Sequence, residues 1–273
     1  MESKRAEGFA EGTLSRAAMS PAERAILDLA RRSVREAARL SPDDLAPLAT
    51  ALGAAGALEA VGMLGAFHFV NRVADIVGIE GEIPIVQRRW RWLRSLGVRV
   101  QGRVLARMLD LSNRPVEVDV ARLLAETETL RGEPLPAGYR SLVLAPNVAA
   151  WAHRMAQEWP ALDAPLLARV RQGVREALPA CDEDVEGLHP RPADPLDALI
   201  FVGTRYAART TDALVDAVRR STGLDDDGLT DLVFAISACN AFERVDRLLA
   251  APIAASGAPQ EAIDAPSPLE RQA

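Results

Sequence analysis

Apolar residues along this chain recur at three- and four-residue intervals, the spacing of one helix face, so the sequence reads as helix after helix with short joints. The first amphipathic helix runs from about Pro21 to Leu40, with Ser20 as N-cap and Pro21 in the first turn. Ser41-Pro42-Asp43-Asp44 repeats that start signal and opens a helix to about Leu52. Gly53 and Gly56 break the pattern. A long apolar helix from about Ala57 to Val77 then ends at Gly78, the residue type that tolerates the left-handed backbone at a helix C-terminus. Beyond Pro84 come a basic amphipathic stretch, Arg88 to Arg94, and a helix from about Val98 to Leu111 closed by Asn113-Arg114-Pro115. Arg131 to Gly138 has the composition of a linker. After it, helices are expected over Tyr139–Trp159, Ala164–Leu178, Pro195–Arg209, Thr211–Ser221 and Leu229–Leu249. The pattern divides the chain into a first helical domain, residues 1–130, a second, 139–251, and a tail, 252–273, whose Ala, Pro, Ser and Gln content predicts disorder.

The two domains share a plan. A shift of 172 residues lays Gly56 on Gly228, Glu59 on Asp231, Val61 on Val233, Arg72 on Arg244 and Val73 on Val245. Ala37-Ala38-Arg39 precedes the first copy as Ala207-Ala208-Arg209 precedes the second. The helix over 57–77 carries His68, Asn71, Arg72 and Asp75 on one face, among Phe67, Phe69, Val70, Val73, Ile76 and Val77. Polar groups on so apolar a helix must be paired, hydrated or functional. In the second copy the stripe becomes Asn240, Glu243, Arg244 and Arg247, so the arginine alone persists. Packing about a pseudo-two-fold axis would set Asp75 opposite Arg247 and Glu243 opposite Arg72, a buried ionic network between the two motif helices.

Composition narrows the class. With 273 residues, 49% apolar content and only 4% aromatics, Ala, Leu and Val must carry the core, which favours closely packed helices and an all-α protein. A net charge of −6 gives no general attraction for nucleic acid or an anionic membrane. The run Arg88 to Arg107 holds seven arginines and no acid, interleaved with Trp90 and Trp92. It would either hold a phosphate backbone or meet acidic segments such as Asp182–Glu186 and Asp225–Asp227. No uninterrupted apolar run reaches the roughly eighteen residues of a membrane span, and the N-terminus lacks a signal-peptide core. Two distant cysteines, Cys181 and Cys239, fit a reducing cytoplasm. No cofactor or metal is implied, because two cysteines cannot build a thiolate cage and His68, His153 and His189 lack ligand spacing.

Glu59, then Ala66-Phe67-His68-Phe69-Val70-Asn71-Arg72-Val73-Ala74-Asp75, then Gly78, resembles the motif helix of the carboxymuconolactone decarboxylase and alkylhydroperoxidase D-like superfamily. The likeness is to its peroxidase-related branch, where Phe-Asn-Phe-x-Asn-Arg-x-Ala-Asp is typical and His68 takes the place of an asparagine. It covers the long helix and the one before it closely, and about Leu196 to Leu249 more loosely. The resemblance implies an all-α fold, tandem halves and association into a homo-oligomer. Redox members of that family use Cys-x-x-Cys followed three residues later by His, with an upstream Glu in a proton relay. Aligned on Glu59, those positions here hold Asn71, Ala74 and Gly78; aligned on the stripe they hold His68, Asn71 and Asp75. A thiol peroxidase needs a lowered thiol pKa, a base and a resolving thiol, so dithiol chemistry is not expected. Cys239 reads as an inert thiol in an apolar helix, and the carboxylates around Cys181 would raise its pKa.

Two functional readings follow. In the first the chain is an enzyme acting on a small acidic or peroxidic molecule, with His68, Glu59, Asn71 and Asp75 as its catalytic groups. Arg72 would then hold a substrate carboxylate between Phe67 and Phe69. Glu59 lies half a turn from His68 and joins such a site only where Gly62 or Gly65 bends the helix or another element brings it round. In the second reading the chain is a catalytically silent relative, kept for binding a small apolar ligand or for assembly.

Overall fold

The computed structural model describes residues 19–78, 119–156, 159–187 and 189–253, and every regular element among them is helical. Helix α1 (Pro21–Arg35) opens on a complete capping box. Ser20 Oγ accepts from the Glu23 amide at 3.2 Å, and the Glu23 carboxylate accepts from the Ser20 amide at 2.5 Å. The helix stops at Arg35, short of the expected Leu40, because Glu36 (φ −130°, ψ 34°) turns the chain into a 3-10 turn, Ala37–Arg39, that buries Ala37. Ser41 donates its amide to Asp44 Oδ2 at 2.9 Å and starts a second 3-10 turn, Pro42–Leu45, which runs directly into α2 (Ala46–Val77). Gly53 (φ 74°, ψ 170°) offsets the first turns of α2 from the rest, a backbone that favours glycine. Gly56 does not interrupt the helix, contrary to the expectation above, and Gly78 (φ 71°) ends it as expected.

The remaining elements are α3 (Val120–Arg131), α4 (Pro146–Met155), α5 (Ala164–Ala177), the short α6 (Asp182–Glu186), α7 (Pro195–Arg205), α8 (Asp212–Thr222) and α9 (Asp226–Leu248). Helix α3 was not expected, although Asp119 caps it through the Arg122 amide at 3.1 Å and Gly132 (φ 66°) closes it. The helix expected over Tyr139–Trp159 is instead a 3-10 segment, Ala137–Leu144, followed by α4, since Ala145 (φ −141°, ψ 69°) leaves the helical region before Pro146. Helix α7 stops at Arg205 rather than Arg209. Tyr206 (φ −138°, ψ 43°) leads into a 3-10 turn over Ala207–Arg209, which exits through Thr210 (φ −63°, ψ 136°). That path closely follows the one from Glu36 to Leu40 (φ −60°, ψ 142°).

Helices α2 and α9 pack along each other at the centre, and a single hydrophobic core joins Leu58, Val61, Phe69 and Val73 of α2 to Leu232, Ile236 and Val245 of α9. Helix α1 lies on α2, α5 and α7 lie on α9, and α4 closes the other side of α2. Gly65 of α2 makes that closure possible: a Cβ there would run into Trp151 of α4 and sit 3.0 Å from Val245 Cγ2. By length and composition α2 is long and apolar enough to cross a bilayer, which the search for uninterrupted apolar runs did not anticipate. Part of that apolarity faces the core.

The linker-like stretch 131–138 is itself packed: Arg131 is buried, and the Gly138 amide donates to the Leu249 carbonyl at 2.9 Å. Order extends past residue 252, because Ile253 is buried and its amide reaches Ser141 Oγ at 3.3 Å. The basic run Arg88–Arg107, the helix expected over Val98–Leu111 and the tail from 254 onward lie outside the described residues.

Candidate functional site

On α1, Ile26, Leu29, Ala30, Ser33 and Val34 share one face; on α2, Ala60, Met63, Leu64, Phe67, His68 and Asn71 share another. The two faces enclose an open groove of about 460 Å³. Among the described residues no charged side chain lines it, and its polar groups are Ser33, His68 and Asn71.

Ser33 and His68 form a buried pair, with His68 Nε2 2.9 Å from Ser33 Oγ. The Ser33 hydroxyl donates to the Ala30 carbonyl at 2.7 Å, as helix serines often do. Placing the Ser33 proton there leaves its oxygen as the acceptor and assigns the His68 proton to Nε2. Burial, followed by the charges of Arg244 and Arg72, holds the His68 pKa well below its ordinary value near 6.5. A neutral imidazole that donates to the serine cannot also take the serine proton. An imidazolium at this place would meet two guanidinium groups. The pair therefore lacks the arrangement of a nucleophile and its base.

Behind the groove floor the two motif arginines cross between helices. Arg72 donates to the Thr204 carbonyl at 2.7 Å, one residue before the end of α7. Arg244, fully buried on α9, donates through Nε to the Ser33 carbonyl at 2.8 Å near the end of α1, and through Nη1 to the Asn240 carbonyl and side chain. Burial lowers the Arg72 pKa to about 10, partly opposed by Asp75. Burial and the neighbouring Arg72 and Arg247 charges lower that of Arg244 well below its usual value. Asn240 completes the cluster by donating to Thr204 Oγ1 at 3.2 Å.

The groove thus brings together His68, Asn71 and Phe67 of the residues singled out from the sequence. Glu59 is exposed and does not line it; Gly62 and Gly65 keep helical backbone angles, so no bend carries Glu59 round to His68. Asp75 is exposed beyond the groove, with its pKa raised by partial burial against the pull of Arg72. Phe69 faces the core, its ring centroid 5.6 Å from that of Phe234. Arg72 binds a backbone carbonyl rather than facing the groove.

The ionic network expected between the motif helices is replaced by other pairs. Glu243 pairs with Arg175 of α5 at 2.8 Å, and Arg247 donates to the Ala38 carbonyl at 2.8 Å. Acidic α6 takes Arg35 and Arg205, through Asp182, Glu186 and Asp184. The strongest buried ion pair was missed entirely: Asp246 accepts from Arg131 at 2.6 and 3.0 Å and from Tyr139 Oη at 2.8 Å. Its members lie more than a hundred residues apart, beyond the reach of local spacing. Ser33 was also missed, since one serine on an amphipathic helix carries no signal until its partner is known.

Cys239 lines a separate cavity of about 30 Å³ beside Arg131, Trp159 and Phe242, and burial pushes its thiol up to about 12. At neutral pH such a thiol is a poor nucleophile. Among the described residues no group of three His, Cys, Asp or Glu is placed to hold a metal ion. No family model, curated protein or solved structure matches this chain, so the functional reading rests on the site's own geometry.

Proposed function

We propose that this chain is a catalytically silent relative of the alkylhydroperoxidase D-like superfamily, built of two tandem helical halves, that works by binding through the α1–α2 groove. The repeat reading draws on matched backbone as well as matched sequence. Ala37–Arg39 and Ala207–Arg209 make the same 3-10 turn, Gly53 (φ 74°) answers to Gly223 (φ 73°), and Arg72 and Arg244 each reach a carbonyl near the end of the helix that leads into the other half's Ala-Ala-Arg turn. The observation that carries the functional reading is the setting of the Ser33–His68 pair: among the described residues the one ionisable side chain of the groove is buried, 2.9 Å from Ser33, and held neutral by burial and the charges of Arg244 and Arg72. An apolar groove with a few fixed polar groups suits binding.

The test is an assay of alkyl hydroperoxide reduction with a dithiol donor, on the wild type and on His68→Gln. Both are expected at the blank rate. Turnover above blank that His68→Gln abolishes would establish the enzymatic reading instead.

A further inference from the structure

The large apolar side chains that stay exposed among the described residues are Ile26, Val34, Leu52, Met63, Phe67 and Val143. Ile26, Val34, Met63 and Phe67, 43 to 58% exposed, all line the α1–α2 groove. The tandem-repeat reading above supplies the comparison that gives this face its meaning. Offsets of 170 residues for α1 and 172 for α2 place Leu196, Thr204 and Ala235 where the first half has Ile26, Val34 and Met63. All three are at most 2% exposed. They lie between α7 and α9, and α5 packs against both of those helices with Val170 and Val174 fully buried. Cys239, the counterpart of Phe67, is partly buried in a cavity it shares with Leu167 and Arg171 of α5, so the face is covered by a helix in one half and open in the other.

We infer that the open face is closed by a second copy of this chain, the α1–α2 groove of one molecule packing on that of another about a two-fold axis. Three features favour this occupant. The face carries its own knobs and hole, since Met63 and Phe67 protrude beside a groove of about 460 Å³ into which the second copy's Met63 and Phe67 can insert. An isologous contact sets every residue near its own copy or that of a neighbour, so a face bearing net charge repels itself. Among the described residues this one is lined by no Asp, Glu, Lys or Arg, in a molecule of net charge −6. Area is sufficient as well. Four side chains about half exposed offer on the order of 100 Å² apiece, or about 800 Å² over two copies, and the rest of the lining brings the total past the roughly 1,000 Å² expected of a specific interface. The polar floor of Ser33 and His68 becomes a closed site only in the pair.

Sedimentation velocity on the full chain from about 1 to 100 μM tests the inference, with Phe67→Glu and Met63→Glu in the groove and Val143→Glu as an exposed apolar control outside it. Circular dichroism checks that each variant is folded. The wild type and Val143→Glu are expected to pass from 29.3 kDa to twice that mass as concentration rises. The groove variants should stay at 29.3 kDa, their dissociation constants raised at least about thirtyfold. A wild type that is monomeric at 100 μM, or folded groove variants that pair as it does, would overturn the inference. Titration of the wild type and Phe67→Glu with 1-anilinonaphthalene-8-sulfonate separates the two proposals. A monomeric wild type whose dye binding is lost in Phe67→Glu removes self-association and keeps the binding function, whereas a monomer with no Phe67-dependent dye binding removes both.

Discussion

Acid should destabilise this protein through His68 before its carboxylates begin to titrate. In the unfolded chain a histidine titrates near 6.5; in the fold, burial and the adjacent Arg244 and Arg72 hold His68 neutral well below that. A group with a depressed folded pKa contributes stability that is intact above the unfolded value and is lost as pH falls from there toward the folded one. At pH 7.5 the unfolded histidine is about one-tenth protonated and the cost is below about 0.1 kcal/mol; at pH 5.5 it is about nine-tenths protonated and the cost is about 1.4 kcal/mol. His68→Gln removes the titration while keeping an amide that can donate to Ser33 Oγ. Urea unfolding of both proteins at pH 7.5 and 5.5 should show the wild type losing about 1.4 kcal/mol more than the variant, or about 3–6 °C in Tm for a chain of this size. The carboxylates are common to both proteins and cancel to first order. Nitrogen chemical shifts of the imidazole should report the Nε2–H tautomer at both pH values. Parallel stability curves for the two proteins, with a His68 resonance that titrates near 6.5, would refute the reasoning and place His68 in contact with solvent.

Two further substitutions probe the packing around the site. Gly65→Ala drives a methyl group into Trp151 and Val245; overpacking of about 1–3 kcal/mol outweighs the roughly 1 kcal/mol that alanine gains in helix propensity, so net destabilisation is expected in chemical unfolding. Asp246→Asn removes the charge that accepts from Arg131 and Tyr139. Arg131 is buried and its pKa is raised by Asp246 against the cost of burial, so a loss of about 3 kcal/mol is expected. Stability within 0.5 kcal/mol of wild type, of the order seen for surface changes, would show that the pair is solvated.

The helical class, the capped start of α1 at Ser20, the close of α2 at Gly78 and the Ala-Ala-Arg correspondence were legible because each is local: a cap or turn is decided within four residues. The ends of α1 and α7 were misplaced for a physical reason. Their apolar period continues through Ala37–Arg39 and Ala207–Arg209, while the backbone has already tightened to 3-10 turns, whose three-residue repeat the same spacing also fits. At the site, the stripe of four polar residues was recognisable, but its division was not. Residues 68 and 71 point into the groove, Arg72 turns toward α7, and Asp75 projects to the surface. Only the positions of α1 and α7 separate those fates, and neither is written into α2.

Arg72 and Arg244 have a cause that does not involve a ligand. The last carbonyls of a helix have no partner within it, and the helix dipole places negative potential there. Ser33 is two residues from the end of α1 and Thr204 one from the end of α7; Arg244 and Arg72 supply the missing donor and the positive charge to each. Arg72 of α2 therefore completes α7 and Arg244 of α9 completes α1, a reciprocal role that the groove residues around them do not share. Under the proposed repeat, His68 and Asn71 correspond to Asn240 and Glu243; Asn240 bonds Thr204, and Glu243 is held by Arg175 of α5. Under that proposal the two helices differ in what covers them. Where α5 lies over α9, its arginine makes a carboxylate useful at position 243. Where no further described helix covers the face that α2 shares with α1, the corresponding position carries the neutral Asn71, and among the described residues the face around it is apolar, uncharged and open.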